Sequence, residues 1–270
     1  MTSSTLTFHY STENREIISN LKHPFQIMPA PRSFLKDEVI KTFSTLNNEK
    51  ILIHMNYITR IFSKSAIENV SRVRTNLRQY AKLIKICGTK NLLIHLPSTA
   101  AEWENFEAGF LVIYEELIQQ GVIIHFEICA PAKDLLKLQV SPFDIHEKTL
   151  QLADALKCED MIRFCPDTAH MFAFGMEEDE QIKLIERYKN KIEYIHLNGN
   201  CRPKFAHDSH VPIFSTNSKF SYEKLMTYLA GLKVVLITEI TKEGAERKTW
   251  EEFAEKFKLN IVPDNEAAKM

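Results

Sequence analysis

Short apolar runs alternate with longer amphipathic segments along the whole chain. Eight runs rich in β-branched and aromatic residues predict strands, at residues 5–10, 25–28, 50–54, 91–95, 122–127, 161–167, 192–196 and 234–239. Between them, apolar residues at three- and four-residue steps predict helices, most clearly at residues 66–87, 102–120, 142–156, 180–190 and 221–229. The chain is therefore predicted to consist of β–α units from end to end.

Eight consecutive units favour a closed (β/α)8 TIM barrel over an open doubly wound sheet. Local signals support two of the helix starts. Ser221 precedes YEKL and is expected to cap its helix, while Glu251 and Glu252 after Thr249 are typical of a first turn. No linker, repeat or low-complexity segment marks a second domain, so we expect one barrel domain over residues 1–270.

Composition places the chain among globular proteins and gives no global sign of a nucleic-acid partner. The 270 residues are 44% hydrophobic and 26% charged, with a net charge of −1 and no apolar run that could span a membrane. We expect a cytoplasmic monomer with reduced thiols. Seven basic residues are predicted to lie near the carboxyl ends of the strands, where ordinary solvated surface is an equally good interpretation for each: Arg60, Lys64, Arg72, Arg74, Arg202, Lys204 and Lys219.

Six of the apolar runs end in a side chain that can bind a metal. The carboxyl ends of barrel strands meet on one rim, so these side chains are expected to converge there. A single histidine at a strand end is more often hydrogen-bonded for structural reasons than a metal ligand. In this chain, however, a potential ligand recurs at the ends of six apolar runs. The six residues are His54, His95, Glu127, Asp167, His196 and Glu239.

Two further motifs extend this set. In DTAH, Asp167 and His170 are three residues apart just past a strand, so the imidazole can reach a neighbouring ion from the first turn of the next segment. In HDSH, Asp208 and His210 can bind one ion from the same side of an extended loop. Five histidines and four carboxylates are too many for one ion. They suit two or three zinc ions with a bridging carboxylate.

Strand alternation aims a few additional residues at the same side. His125 shares parity with Glu127, and we interpret it as a support for the ligands. Cys129 and Cys165 lie two residues from Glu127 and Asp167, but packed core thiols are the favoured interpretation.

The segment CPDTAHMFAFG at residues 165–175, with HLNGN and HDSH after it, resembles the endonuclease IV family of apurinic/apyrimidinic endonucleases. The order of all nine candidate ligands is similar to that family's. The resemblance implies a (β/α)8 barrel with three zinc ions that acts in base excision repair. It further implies cleavage of double-stranded DNA on the 5′ side of an abasic site, leaving a 3′-hydroxyl and a 5′ deoxyribose phosphate.

The resemblance also implies a role for each ligand. One zinc would be held by His54, His95 and Glu127. A second would be held by Glu127, Asp167, His196 and Glu239, and a third by His170, Asp208 and His210. Glu127 would thus be the bridging, catalytic carboxylate.

Three residues are candidate DNA contacts: Tyr57, which follows His54 by three positions, Arg32 and Lys204. The chain departs from the family pattern in HLPST, FEICA and VPIFSTN, which spares the ligands but alters loops expected to face DNA. Such divergence suits a distant branch, including branches carried by large DNA viruses, for which the nucleus or virion would be the location.

Two other functions remain open. A sugar isomerase or epimerase of the same barrel type would need one divalent metal and only Glu127, Asp167, His196 and Glu239. A DNA-lesion binding module that has lost turnover would keep the barrel without catalysis. Counting zinc ions per chain separates the first alternative, and binding without cleavage of an abasic oligonucleotide identifies the second.

Overall fold

Eight parallel strands form a closed ring in the computed structural model, which describes residues 4–11, 25–28, 51–56, 59–206, 209–240 and 247–261. For residues 8–11 and 247–248 only the backbone is described. Within these ranges the strands are β1 Thr5–Ser11, β2 Phe25–Met28, β3 Ile51–His54, β4 Asn91–His95, β5 Ile123–Glu127, β6 Ile162–Cys165, β7 Tyr194–His196, β8 Gly199–Asn200, β9 His210–Val211, β10 Val235–Thr238 and β11 Asn260–Ile261.

The ring consists of β1 to β7 and β10. Neighbouring strands pair in parallel from β1 through β6, and β10 joins β1 to β7. Parallel bridges between Phe164 and Ile192 and between Asp167 and His196 link β6 to β7. The predicted TIM barrel is confirmed. The short strands β8 and β9 form an antiparallel hairpin after β7, and β11 pairs with β1.

Helices fill the connections between the strands. In the described residues they are α1 Lys64–Glu68, α2 Val70–Cys87, α3 Ala100–Glu104, α4 Phe106–Glu116, α5 Lys133–Lys137, α6 Pro142–Ala155, α7 Thr168–Ala173, α8 Glu178–Tyr188, α9 Glu223–Ala230 and α10 Arg247–Phe257. None of these helices has both the length and the hydropathy needed to cross a membrane.

Several boundaries differ from the sequence prediction. The predicted helix at 66–87 is divided at Asn69, whose ψ of 48° is not helical, and the one at 102–120 is divided at Asn105. Ser221 does not cap α9. Its hydroxyl donates to Glu178 Oε1 at 2.6 Å, and Tyr222 occupies the cap position. The short helices α5 and α7 were not predicted, because each has too few residues to show a helical period.

The core has two layers separated by the sheet. Outward-facing strand residues pack on the helices, as where Phe126 stacks on Phe110 and Phe164 stacks on His146. Inward-facing residues fill the barrel with a separate buried cluster of Leu52, Leu93, Cys165, Tyr194 and Ile237. Each of these lies two positions before a predicted ligand, so strand alternation places the ligands one layer above this cluster.

Candidate metal centre

The predicted strand-end ligands come together at the carboxyl rim of the barrel. His54, His95, Glu127 and His196 are the last residues of their strands, and Glu239 directly follows β10. Asp167 lies two residues past β6, where it bridges to His196 of β7 and also caps α7: its Oδ1 accepts a hydrogen bond from the His170 backbone N–H at 2.8 Å. The capping places His170 in the first helical turn, on the same rim.

His54, His95 and Glu127 form a compact triangle of ligand atoms. His54 Nε2 lies 3.3 Å from His95 Nε2, and Glu127 Oε2 lies 3.2 and 3.1 Å from these two nitrogens. Ligand atoms of a tetrahedral zinc are about 3.3 Å apart, since its bonds to nitrogen and oxygen are about 2.0–2.2 Å long. Glu127 Oε2 is buried and accepts no hydrogen bond. The triangle therefore fits one zinc ion.

A second group surrounds the other oxygen of Glu127. His196 Nδ1 lies 3.0 Å from Glu127 Oε1, 3.6 Å from Glu239 Oε1 and 3.8 Å from Asp167 Oδ2. All four ligand atoms are within 4.8 Å of one another. The two oxygens of Glu127 thus face two different groups, which is the geometry of a bridging carboxylate.

A third group contains Asp167, His170 and His210. His210 is carried to the rim by β9 and lies 3.8 Å from Asp167 through Nε2 and 3.5 Å from Glu239 Oε2 through Nδ1. His170 Nδ1 lies 2.7 Å from the Ile128 carbonyl oxygen, so its orientation is set by the loop after β5. The predicted ligand Asp208 lies outside the described residues.

The charge of the cluster also suits cations. The carboxylates of Glu127 and Asp167 are buried and that of Glu239 is partly buried, and none of them forms an ion pair with a described lysine or arginine. Burial alone raises the pKa of Glu127, but the imidazoles of His196 and His95 hold it well below its usual range. The pKa of Glu239 is likewise held at about 2 against burial, chiefly by His196. Burial raises the pKa of Asp167, so this carboxyl needs compensating positive charge nearby to be ionised.

Two buried amides support the ligands and were not predicted. Gln26 on β2 contacts His196 and Glu239, at 2.7 and 3.1 Å. Asn198 donates through Nδ2 to Asp167 Oδ2 at 2.7 Å and accepts through Oδ1 from the Glu239 backbone N–H at 3.2 Å. Gln26 is a polar residue in the otherwise apolar run FQIM, a signal that the sequence does carry.

A cavity of about 330 Å³ opens beside His95. Its polar lining includes Ser98 and Cys129, and Arg60 closes one side through an ion pair with Glu102 at 2.7 Å. The cavity could admit part of a substrate next to the first group of ligands. Cys129 lines this space, whereas Cys165 lies in the barrel interior, and neither belongs to a group of candidate ligands.

The remaining predicted residues have mixed outcomes. Tyr57 and Arg32 lie outside the described residues. Lys204 forms an ion pair with Glu177. Arg74 lies on α2 and pairs with Glu116 of α4 at 2.6 Å.

The predicted support by His125 is also wrong. His125 Nε2 lies 3.1 Å from Asn91 Oδ1, and its ring packs against Tyr194 in the layer beneath the ligands. The alternation of side chains along β5 correctly predicted the side of the sheet that His125 faces. His125 comes two residues before Glu127, however, and is therefore too deep in the barrel to reach the rim.

Comparisons with known proteins agree with this architecture. The sequence model of the xylose isomerase-like TIM barrel family matches residues 30–258. The crystal structure described as AsfvAP:AG is 16% identical with a TM-score of 0.68, covering 95% of this chain and 97% of that chain. Endonuclease IV from Thermus thermophilus is 17% identical with a TM-score of 0.66, covering 94% of this chain and 98% of that chain.

A xylose isomerase domain protein from Planctomyces limnophilus is 14% identical with a TM-score of 0.62, covering 94% of this chain and 96% of that chain. No protein in the curated set matches the sequence at a significant level. At these sequence identities the structural similarities establish only the fold. The reaction has to be inferred from the residues of the site.

Proposed function

Because the chain belongs to the xylose isomerase-like TIM barrel family, we propose that its rim cluster makes it a zinc-dependent apurinic/apyrimidinic endonuclease of base excision repair. It would hydrolyse the phosphodiester on the 5′ side of an abasic site in double-stranded DNA, producing a 3′-hydroxyl and a 5′ deoxyribose phosphate. The fold similarity to endonuclease IV from Thermus thermophilus is consistent with this choice but does not carry it.

The observation that carries the proposal is the position of Glu127 between two ligand groups. A single-metal sugar enzyme needs only the group of four around His196. His54, His95, His170 and His210 would then have no role, yet they are on the same rim and face the same carboxylates. Multinuclear sites of this kind are suited to phosphodiester hydrolysis.

Each group of residues has a role in this proposal. His54, His95 and Glu127 would hold one zinc, the four residues around His196 a second, and His170 and His210 with Asp208 a third. Bound zinc supplies positive charge and Lewis acidity toward a phosphodiester. Glu127 would be shared by two of these sites, above a buried layer that contains His125 and the apolar cluster.

Substrate choice would come from the flexibility of the lesion. An abasic nucleotide has lost its stacking, so moving it out of the duplex costs less than the few kcal/mol needed for an intact nucleotide. The cavity beside His95 offers neutral polar groups and no unpaired carboxylate, which suits a sugar–phosphate segment. Tyr57, Arg32 and Lys204 remain the proposed DNA contacts.

A nicking assay on one abasic duplex tests the proposal. The zinc-loaded protein should cut the duplex 5′ to the lesion and leave an intact duplex of the same sequence uncut. A chelator should abolish cutting, and added zinc should restore it. Binding of the abasic duplex without any cutting by fully loaded protein would instead identify a lesion-binding module.

One observation favours a second function. Glu127, Asp167, His196 and Glu239 by themselves form a complete four-ligand group, which is the set needed for a single-metal sugar isomerase or epimerase. Elemental analysis separates the two functions: two to three zinc ions per chain support the endonuclease. About one divalent ion per chain, together with aldose–ketose interconversion, would support the sugar enzyme.

A further inference from the structure

Gln26 is a fully buried amide on β2, a strand whose described side chains include no candidate metal ligand. Its side chain lies between residues of two other strands at the barrel mouth. Gln26 Oε1 lies 2.7 Å from His196 Nε2, and Gln26 Nε2 donates to Glu239 Oε1 at 3.1 Å. One side chain therefore contacts two members of the four-ligand group.

The chemistry of these contacts sets the orientation of the amide. A carboxylate only accepts hydrogen bonds, so the NH2 end of Gln26 must face Glu239. The carbonyl oxygen of Gln26 must then face His196, and it can only accept. His196 Nε2 therefore carries the proton.

That proton determines which nitrogen of His196 is available to a metal. In a neutral imidazole with a proton on Nε2, the lone pair is on Nδ1. Nδ1 is the atom that faces Glu127 Oε1 and Glu239 Oε1, at 3.0 and 3.6 Å. In the structure Nδ1 donates a hydrogen bond to Glu127 Oε1, so a metal would replace the proton on Nδ1 while Gln26 keeps the proton on Nε2.

Glu239 is held from both sides. Gln26 binds its Oε1, and Asn198 Nδ2 lies 3.4 Å from its Oε2. The two oxygens of the carboxylate are thus held by separate amides. Side chains held in this way lose less freedom when an ion binds.

We propose that Gln26 is a positioning residue that retains the Nε2 proton of His196, which leaves Nδ1 as the ligating nitrogen, and that orients Glu239 for a divalent metal. The inference rests on the metal binding in the proposed function and does not depend on which reaction follows. It deepens that proposal by assigning a role to a strand that supplies none of the expected ligands.

Gln26→Met tests the role, because methionine has nearly the same volume and cannot make either hydrogen bond. Zinc affinity is measured by competition with a chromophoric chelator. The imidazole nitrogens of His196 are followed by long-range ¹H–¹⁵N NMR in zinc-loaded protein. We expect the affinity of one zinc to fall about 10–100-fold, with the zinc-bound His196 of the variant no longer uniformly in the Nε2–H form, while the remaining zinc ions bind as in the wild type.

Asn91→Leu is the matched control. Asn91 is a buried amide in the same barrel that contacts a histidine, His125, at 3.1 Å, and no hydrogen bond joins it to a described candidate ligand. The Asn91→Leu variant should lose folding stability without any change in its zinc affinity. Thermal melting of the metal-free variants verifies that both are folded.

The inference is overturned if Gln26→Met binds zinc like the wild type, if Asn91→Leu loses the same affinity, or if the tautomer of His196 is unchanged. Failure of the proposed function has a different signature. A wild-type protein that is fully loaded with zinc but does not nick an abasic duplex would refute the endonuclease and leave the effect of Gln26 on zinc binding intact.

Discussion

Replacement of the shared carboxylate should cost more zinc-dependent stability than replacement of a ligand that belongs to one group. Glu127 occurs in two of the ligand groups, whereas His95 occurs in one. Glu127→Gln is isosteric and removes the negative charge that both groups need. His95→Gln weakens only the triangle with His54. The difference between the two variants therefore measures the effect of sharing Glu127 between two ligand groups.

The expected magnitude follows from binding linkage. A site whose free zinc is about 100 times its dissociation constant stabilises the folded state by about 2.7 kcal/mol. For 270 residues, an unfolding entropy of about 2.1 cal/mol/K per residue converts this to about 5 °C in Tm per site. The zinc-dependent rise in Tm should thus shrink by about 5 °C in His95→Gln and about 10 °C in Glu127→Gln.

Differential scanning calorimetry in zinc-buffered and chelated solutions measures these increments. Glu116→Gln is the control, because Glu116 is also buried but pairs with Arg78 and Arg74 on the helices outside the barrel. Its chelated Tm should fall while its zinc increment stays at the wild-type value. An increment in Glu127→Gln no smaller than in His95→Gln would refute the bridging geometry.

Three other perturbations test separate parts of the structure. Gly109→Ala should destabilise the protein by about 1–3 kcal/mol in urea denaturation, because an added Cβ would lie 2.5 Å from the ring of Phe62. Burial lowers the pKa of His146 to about 3, so the unfolded state binds a proton that the folded state does not. Stability should then be lost as pH falls below about 6.5, by about 1.4 kcal/mol per pH unit for this residue, and His146→Leu should remove that part of the slope. Asp167→Asn should keep the cap of α7 but lose zinc affinity, whereas Asp167→Ala should lose zinc affinity and also the capping energy of about 1 kcal/mol.

A specific result would contradict each of these three predictions. Gly109→Ala should leave zinc binding unchanged, and a loss of zinc would mean that the helix position affects the rim. Equal pH slopes in wild type and His146→Leu would show that the imidazole titrates normally in the folded state. Equal chelated stability of the two Asp167 variants would show that the cap contributes nothing.

Most of the barrel was predictable because its signals are local. An apolar run records a buried strand, and a ligand at the end of that run lies on the carboxyl rim of any parallel barrel. Asp167 and His170 illustrate the same point, since their spacing is that of a cap residue and the third residue of its helix. The sequence alone therefore determined the fold class, the order of the strands and which side chains could meet.

Contacts across the barrel were decided only by the closed structure. Alternation placed His125 on the correct side of β5 but could not say that it lies in the layer below the ligands. The contact of Gln26 with His196 joins residues 170 positions apart, and no local pattern encodes such a pair. Local sequence determines the direction of a side chain through backbone geometry. Which residue a side chain contacts, which of its atoms carries a proton and which metal site it joins depend on distances across the barrel. Those distances are set only when the sheet has closed.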